Sequence, residues 1–170
     1  MKLEIIKSLI KEKRYDEALV ACEKLMVSQP ELKYDVMRQK SYIYTRRAEY
    51  KAAIKELLSI IDAGEARLGD YDSAAFWALY DGQFDQALEW YFVALRMGEE
   101  QNETWFRSNE LYLIAYIYME LGKFEESLHF LDKDISQDKN ASFLIPNKGF
   151  CEVEQLRNEI HRRASEKSST

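Results

Sequence analysis

The side chains able to do chemistry are plentiful in this chain but are not arranged for it. The two histidines, His129 and His161, stand 32 residues apart with no His-x-x-x-His spacing, so neither reads as a metal ligand. Cys22 and Cys151 form no Cys-x-x-Cys pair and are too few for a disulfide scaffold; both read as small apolar side chains. The six glycines are scattered singly, so there is no phosphate-cradling loop. With 30 Asp and Glu, some carboxylates must be neighbours, and that abundance makes any acid/base pair unspecific. These features lead us to expect no catalytic residue, no metal and no cofactor, and so not an enzyme. The patterned residues are aromatic. Phe76 and Tyr80, and again Tyr112 and Tyr116, are spaced i,i+4, which puts each pair on one face of a helix.

Helices that could carry such faces are marked by a recurring hexamer. Arg14-Tyr15-Asp16-Glu17-Ala18-Leu19 returns as Glu49-Tyr50-Lys51-Ala52-Ala53-Ile54, as Gln83-Phe84-Asp85-Gln86-Ala87-Leu88 and as Lys123-Phe124-Glu125-Glu126-Ser127-Leu128. The aromatic residues at 15, 50, 84 and 124 are separated by 35, 34 and 40 residues, the period of a stacked helical repeat. Each period fits a helix, a tight turn and a second helix. In the first, Leu3, Ile6, Leu9 and Ile10 form one stripe and Tyr15, Ala18, Leu19, Cys22, Leu25 and Met26 the matching one. Pro30, Gly64, Gly69 and Gly98 punctuate the helix ends. Thr104, Trp105 and Phe106 are expected on an early extension of the fourth unit's first helix. Ser136 to Ile145 reads as an irregular connection. Asn147 to Ala164 then reads as a last helix with Phe150, Val153, Leu156 and Ile160 on one stripe, able to cap the fourth unit.

Over residues 1 to about 139 this pattern resembles the tetratricopeptide repeat (TPR) family. That family pairs small residues on its two helices so that the backbones approach. Ser41 with Ala53, Ala75 with Ala87 and Ala115 with Ser127 match it, while Ile6 departs from it. Gly82 and Gly122 stand in the turn where the family commonly uses Gly; Lys13 and Ala48 replace it in the other two units. The resemblance implies an all-α, TPR-like superhelix of about four helix-turn-helix units with a C-terminal capping helix. Residues 1–164 are expected to form a single domain and 165–170 a flexible tail.

The resemblance also implies a site. First helices line the concave face of such a stack, which would place Arg38, Gln39, Tyr42 and Arg46 in the groove from the second unit. The third would add Asp72, Phe76, Leu79 and Tyr80, and the fourth Asn109, Tyr112, Leu113, Tyr116 and Glu120. Aromatic rings beside arginine and acids have the composition of a protein-binding hot spot. Packing of the same rings between units is the alternative. The family's two-carboxylate clamp is not matched, because Leu3, Gln39, Gly69 and Ser73 stand where Lys, Asn or Arg is needed.

Charge narrows the partner. Net charge is −6, and it is uneven: residues 1–60 hold 13 Lys and Arg against 9 Asp and Glu, whereas residues 61–140 hold 6 against 17. Such an acidic stretch repels nucleic acid and attracts a basic protein; its bland alternative is a solvated face that keeps the chain soluble. Met1 to Lys13 has no apolar run typical of a signal peptide, and no stretch approaches the ~20 apolar residues that span a bilayer. We therefore expect a cytoplasmic protein-binding module for a partly basic protein partner, with no nucleic acid and no membrane. An inhibitor or immunity protein of a toxin, such as a nuclease, is one form of this. A chaperone or assembly adaptor holding an extended peptide is the alternative.

Overall fold

A computed structural model describes residues 2–103, 107–133 and 141–168. Among these residues the chain forms nine α-helices and one short hairpin. Two compact units are distinguished, Met1–Ala74 and Ala75–Thr170.

In the first unit, α1 (Leu3–Lys11) pairs with α2 (Tyr15–Ser28), a 3-10 turn at Pro30–Leu32 follows, and α3 (Lys33–Arg46) pairs with α4 (Tyr50–Asp62). Each hexamer aromatic opens the second helix of its pair, as the repeat predicts. Ile6, Ala18, Cys22, Leu25, Val36 and Ile43 are fully enclosed and form the core. Ser41 and Ala53 are both buried, as close backbone approach requires. Ile6, which breaks the small-residue pattern, is accommodated fully buried. Lys40 ties three helices together: its Nζ lies 2.9 Å from both Glu23 of α2 and Glu56 of α4. Burial of Lys40 opposes its charge, but the two carboxylates prevail and hold the ammonium above its usual pKa.

Helix α5 (Leu68–Tyr80) contains the division between the units. The second unit continues with α6 (Phe84–Gln101), α7 (Arg107–Glu120) and α8 (Phe124–Asp132). Ala75, Ala87 and Ala115 are fully buried, and Ser127 donates its hydroxyl to the Ala115 carbonyl at 2.6 Å. The hydroxyl of Ser127 is thereby satisfied within a position that needs a small side chain.

The four intra-pair turns share one geometry. Lys13, Ala48, Gly82 and Gly122 all have left-handed backbones, with φ of 61°, 60°, 75° and 70°. In each, the following amide reaches back to the carbonyl five residues earlier, at 2.9, 2.8, 2.8 and 2.9 Å. These contacts satisfy helix-end carbonyls otherwise left without partners.

After α8 the structure departs from the expected irregular connection and long helix. Ser142–Ile145 (β1) and Gly149–Glu152 (β2) pair antiparallel, and only then does α9 (Val153–Ser168) begin. The turn is encoded locally. Pro146 supplies the fixed φ of its first corner, Asn147 takes φ 64° at the second, and the Lys148 amide donates to the Ile145 carbonyl at 3.1 Å. Alternation puts Phe143 and Ile145 inward, both nearly enclosed, and leaves Leu144 and its cross-strand partner Phe150 exposed. Phe150 therefore does not join the buried stripe of Val153, Leu156 and Ile160. Helix α9 packs on α8 and touches α7, the expected capping position. It is helical to Ser168, past the point where a tail was expected to start. The expected extension at Thr104, Trp105 and Phe106 lies outside the described residues, as does 134–140.

Candidate functional site

The candidate groove residues divide between the two units. In the first unit, α1 and α3 lie side by side and frame an open cleft of about 330 Å³, lined by Lys7, Ile10, Gln39 and Tyr42. The spacing of Lys7 with Ile10 and of Gln39 with Tyr42 puts each pair on one helix face. Tyr42 is 50% exposed. Arg46, one turn further along α3, is exposed and hydrogen-bonds to Tyr15, which raises its already high pKa.

Arg38 has a different place from the one expected. Its Nε bonds both oxygens of Asp70, at 3.0 and 2.8 Å, and its Nη2 lies 2.7 Å from Asp70 and from the Glu65 carbonyl. Asp35 completes the set at 3.2 Å. The guanidinium thus joins α3 to the start of α5 and is spent on the fold. Asp72 is partly buried, and burial pushes its carboxyl up to about 6.

In the second unit the expected open face of α7 is covered. Tyr112 and Tyr116 are 3% and 5% exposed, and Leu113 is fully enclosed. The cover is the chain's own hairpin. The Phe143 ring lies 5.4 Å from that of Tyr112, and the Lys148 ammonium sits 5.0 Å from the centre of the Tyr116 ring. Lys148 also pairs with Glu120 at 3.3 Å, where Arg163 approaches to 3.4 Å. Asn147 donates its side-chain amide to the Tyr80 carbonyl at 2.9 Å. Burial first, and then Glu120, raises the Tyr116 pKa, against the pull of Lys148. Phe76 and Tyr80 meet the edges and faces of Trp77 at 5.1 and 5.9 Å. Asn109 is exposed at the start of α7. The α7 rings Tyr112 and Tyr116 thus face Phe143 and Lys148 rather than solvent. Sequence reasoning missed the hairpin residues. Pro146-Asn147, with Gly149 two positions on, is a type II turn signal, and it falls at the expected junction between the irregular connection and the last helix.

Elsewhere in the second unit, the exposed acids Asp85 and Glu89 border a depression of about 460 Å³ with Phe84 and Leu121. Among the described residues, no group of three His, Cys, Asp or Glu is placed to hold a metal ion. Cys22 is enclosed, and burial pushes its thiol up to about 12. Among the described residues, no helix is long and apolar enough to cross a membrane.

No protein-family model and no curated protein matches the sequence. Solved structures do match the fold. A tetratricopeptide repeat protein from Parabacteroides merdae aligns over 98% of this chain and 60% of its own, with TM-score 0.77 and 14% identity. The C-terminal part of a TPR repeat-containing protein from Cytophaga hutchinsonii aligns over 99% and 60%, with TM-score 0.69 and 17% identity. MamA aligns over the whole of both chains, with TM-score 0.69 and 12% identity. This chain thus spans about three fifths of the Parabacteroides and Cytophaga chains. At these identities the likeness concerns architecture, and together with the four in-phase hexamers and their common left-handed turns it shows that this chain has a tetratricopeptide-type helical-repeat fold.

Proposed function

We propose that this chain is a non-enzymatic protein-binding module whose α1–α3 cleft receives a side chain of a protein partner. The observation that carries this reading is Tyr42, half exposed beside an open cleft with an apolar wall at Ile10 and hydrogen-bonding groups at Gln39 and Lys7. A rigid aromatic ring at the edge of a preformed cleft loses little entropy on binding and excludes much water. The covered face of α7 weighs against an extended peptide lying along that helix, and so favours a folded partner over the adaptor alternative. The partner is partly basic. Support comes from the second unit, which carries 17 Asp and Glu against 10 Lys and Arg, with Asp81, Asp85 and Glu89 exposed. An inhibitor of a basic toxin, for instance a nuclease whose site must hold phosphate, is the class of protein this chemistry serves.

The test is differential capture. The chain and its Tyr42→Ala variant are immobilised in equal amounts and exposed to lysate of the source organism, and bound proteins are quantified by mass spectrometry. A basic protein retained by the parent and depleted at least tenfold by the variant, with unchanged helix content and melting temperature, is the expected result. Equal recovery of every captured protein by both baits would overturn the cleft assignment.

A further inference from the structure

In the second unit, α6, α7 and α8 frame a cleft of about 420 Å³, on a different side of α7 from the hairpin. Phe92, Leu95, Arg96 and Glu99 follow one another at i, i+3, i+4 and i+7, so α6 turns a single stripe toward it. Arg107 and Leu111 line it from α7, on a face roughly opposite that of Tyr112 and Tyr116. Phe130 closes it from α8, its ring centre 5.6 Å from that of Phe92. The floor is apolar and open, with Phe92 37% exposed.

Cations ring this floor, although the unit as a whole is acidic. The Lys133 ammonium stands 4.4 Å above the centre of the Phe130 ring, a cation–π contact that holds it at the cleft. Arg96 is exposed on the α6 stripe, and among the described residues neither it nor Lys133 is paired with a carboxylate. Arg107 gives one Nη1 bond to Glu99, at 2.8 Å, and that contact orients its guanidinium. Its Nε is buried with no hydrogen-bond partner among the described residues. Elsewhere in the unit, Lys148, Arg157, Arg162 and Arg163 each have an acidic partner. The cleft thus sets three cations against one acid over an apolar floor.

That composition selects the occupant. An apolar floor alone would take any apolar side chain. Two unpaired cations and an oriented arginine favour one with carboxylates beside it. A nucleic acid is disfavoured, because its phosphates run on past the cleft into a unit of net negative charge. A small molecule would leave much of its surface in water in so open a cleft, whereas a protein segment rests only part of itself there.

We propose that this cleft binds an acidic segment of a protein, seating one large apolar side chain on Phe92 and Leu95 while flanking carboxylates meet Arg96, Arg107 and Lys133. The site is distinct from the Tyr42 cleft, and it reads a local motif whatever the net charge of the protein that carries it.

A displayed library of short random peptides is the probe. It is selected in parallel on the full chain, on the double variant Arg96→Glu with Lys133→Glu, and on Tyr42→Ala. The expected result is a family of peptides, each with Phe, Trp or Leu flanked by Asp or Glu, that the parent and Tyr42→Ala enrich and the double variant does not. In fluorescence anisotropy, a synthetic copy of the most enriched peptide binds the parent with a dissociation constant of roughly 1–100 µM. The double variant weakens that binding at least tenfold, and so does replacing the peptide's apolar residue by Ser. Both reversed positions are exposed, so helix content by circular dichroism stays at the parent value. The proposal is overturned if no acidic–apolar family depends on Arg96 and Lys133, if the enriched peptides are basic, or if Tyr42→Ala loses the same peptides. A single-stranded oligonucleotide that displaces the enriched peptide at lower concentration than the peptide itself overturns it too, and assigns the cleft to nucleic acid.

Discussion

At the scale of single residues, the four turns show how far a fold overrides its local sequence. Gly82 and Gly122 suit a left-handed backbone, but Lys13 and Ala48 hold the same φ with a Cβ in the way. That conformation costs an L-residue roughly 1–2 kcal/mol, which the reach-back hydrogen bonds and helix packing offset. Ala48→Gly removes the strain and returns part of it as unfolded-chain entropy, so a gain of about 0.5–1 kcal/mol in denaturant unfolding is expected. Gly82→Ala is the mirror experiment. An added Cβ there meets nothing within 4 Å, so the loss of about 1 kcal/mol would come from backbone strain alone. Opposite signs at the two positions are the outcome that matters; equal signs would mean that the turns do not share one conformation. Asp72 supplies a pH-dependent counterpart. Its folded pKa of about 6 lies above its unfolded value of 3.8, so the folded state holds its proton more tightly. The stability this contributes is complete below pH 3.8 and is lost as pH rises through 6. Asp72→Asn should therefore stabilise the fold at pH 7–8, by on the order of 1 kcal/mol once partial exposure is allowed for, and should have no effect near pH 4. A pH-independent difference would show that desolvation is not what the substitution relieves.

At the scale of elements, two helices with similar aromatic faces play different parts. On α7, Tyr116 is enclosed by Lys148 and Glu120; on α3, Tyr42 is half in water. Truncating Tyr116 to Ala removes a packed ring and should cost about 3–5 kcal/mol of folding stability, whereas Tyr42→Ala should cost less than about 1 kcal/mol. Urea unfolding of both variants decides it. If Tyr116→Ala unfolds at the parent midpoint, the hairpin does not cover α7. This contrast also measures what could be read from the sequence. The helix pairs, their turns and the small-residue contacts were legible because each depends on near neighbours and recurs in phase. The fate of Tyr112 and Tyr116 was not, because it depends on a hairpin that begins some 25 residues further on. Spacing tells which helix face a ring occupies, not what comes to lie against it. The same holds for Arg38, whose partner Asp70 stands 32 positions away. Where a local signal exists, at Pro146-Asn147, it falls at the expected start of the last helix, and only the packing of Phe143 and Ile145 selects the turn.

At the scale of the whole molecule, charge is the property that neither helices nor turns explain. The first unit is nearly balanced, with 14 Lys and Arg against 13 Asp and Glu; the second carries the excess of acid. Much of that acid does no structural work. Asp81, Asp85 and Glu89 are exposed, and among the described residues none of them is tied to a basic side chain. Unpaired exposed carboxylates contribute little to folding and slightly oppose it through self-repulsion. Their value lies in the field they set up ahead of contact. A partly basic partner should therefore associate faster at low salt, and its on-rate should fall by about tenfold or more as salt rises from ~10 mM to ~500 mM. Reversing Asp85 and Glu89 together to Lys should lower the on-rate and leave dissociation nearly unchanged, because rim charges steer encounter more than they hold the complex. Tyr42→Ala should do the opposite, accelerating dissociation with little effect on association, since a cleft-edge ring acts only after contact. Stopped-flow or surface-based kinetics on the captured partner separates the two effects in one series. An on-rate flat across that salt range would sink the basic-partner reading while leaving the cleft intact. A normal dissociation rate for Tyr42→Ala would sink the cleft while leaving the steering field intact.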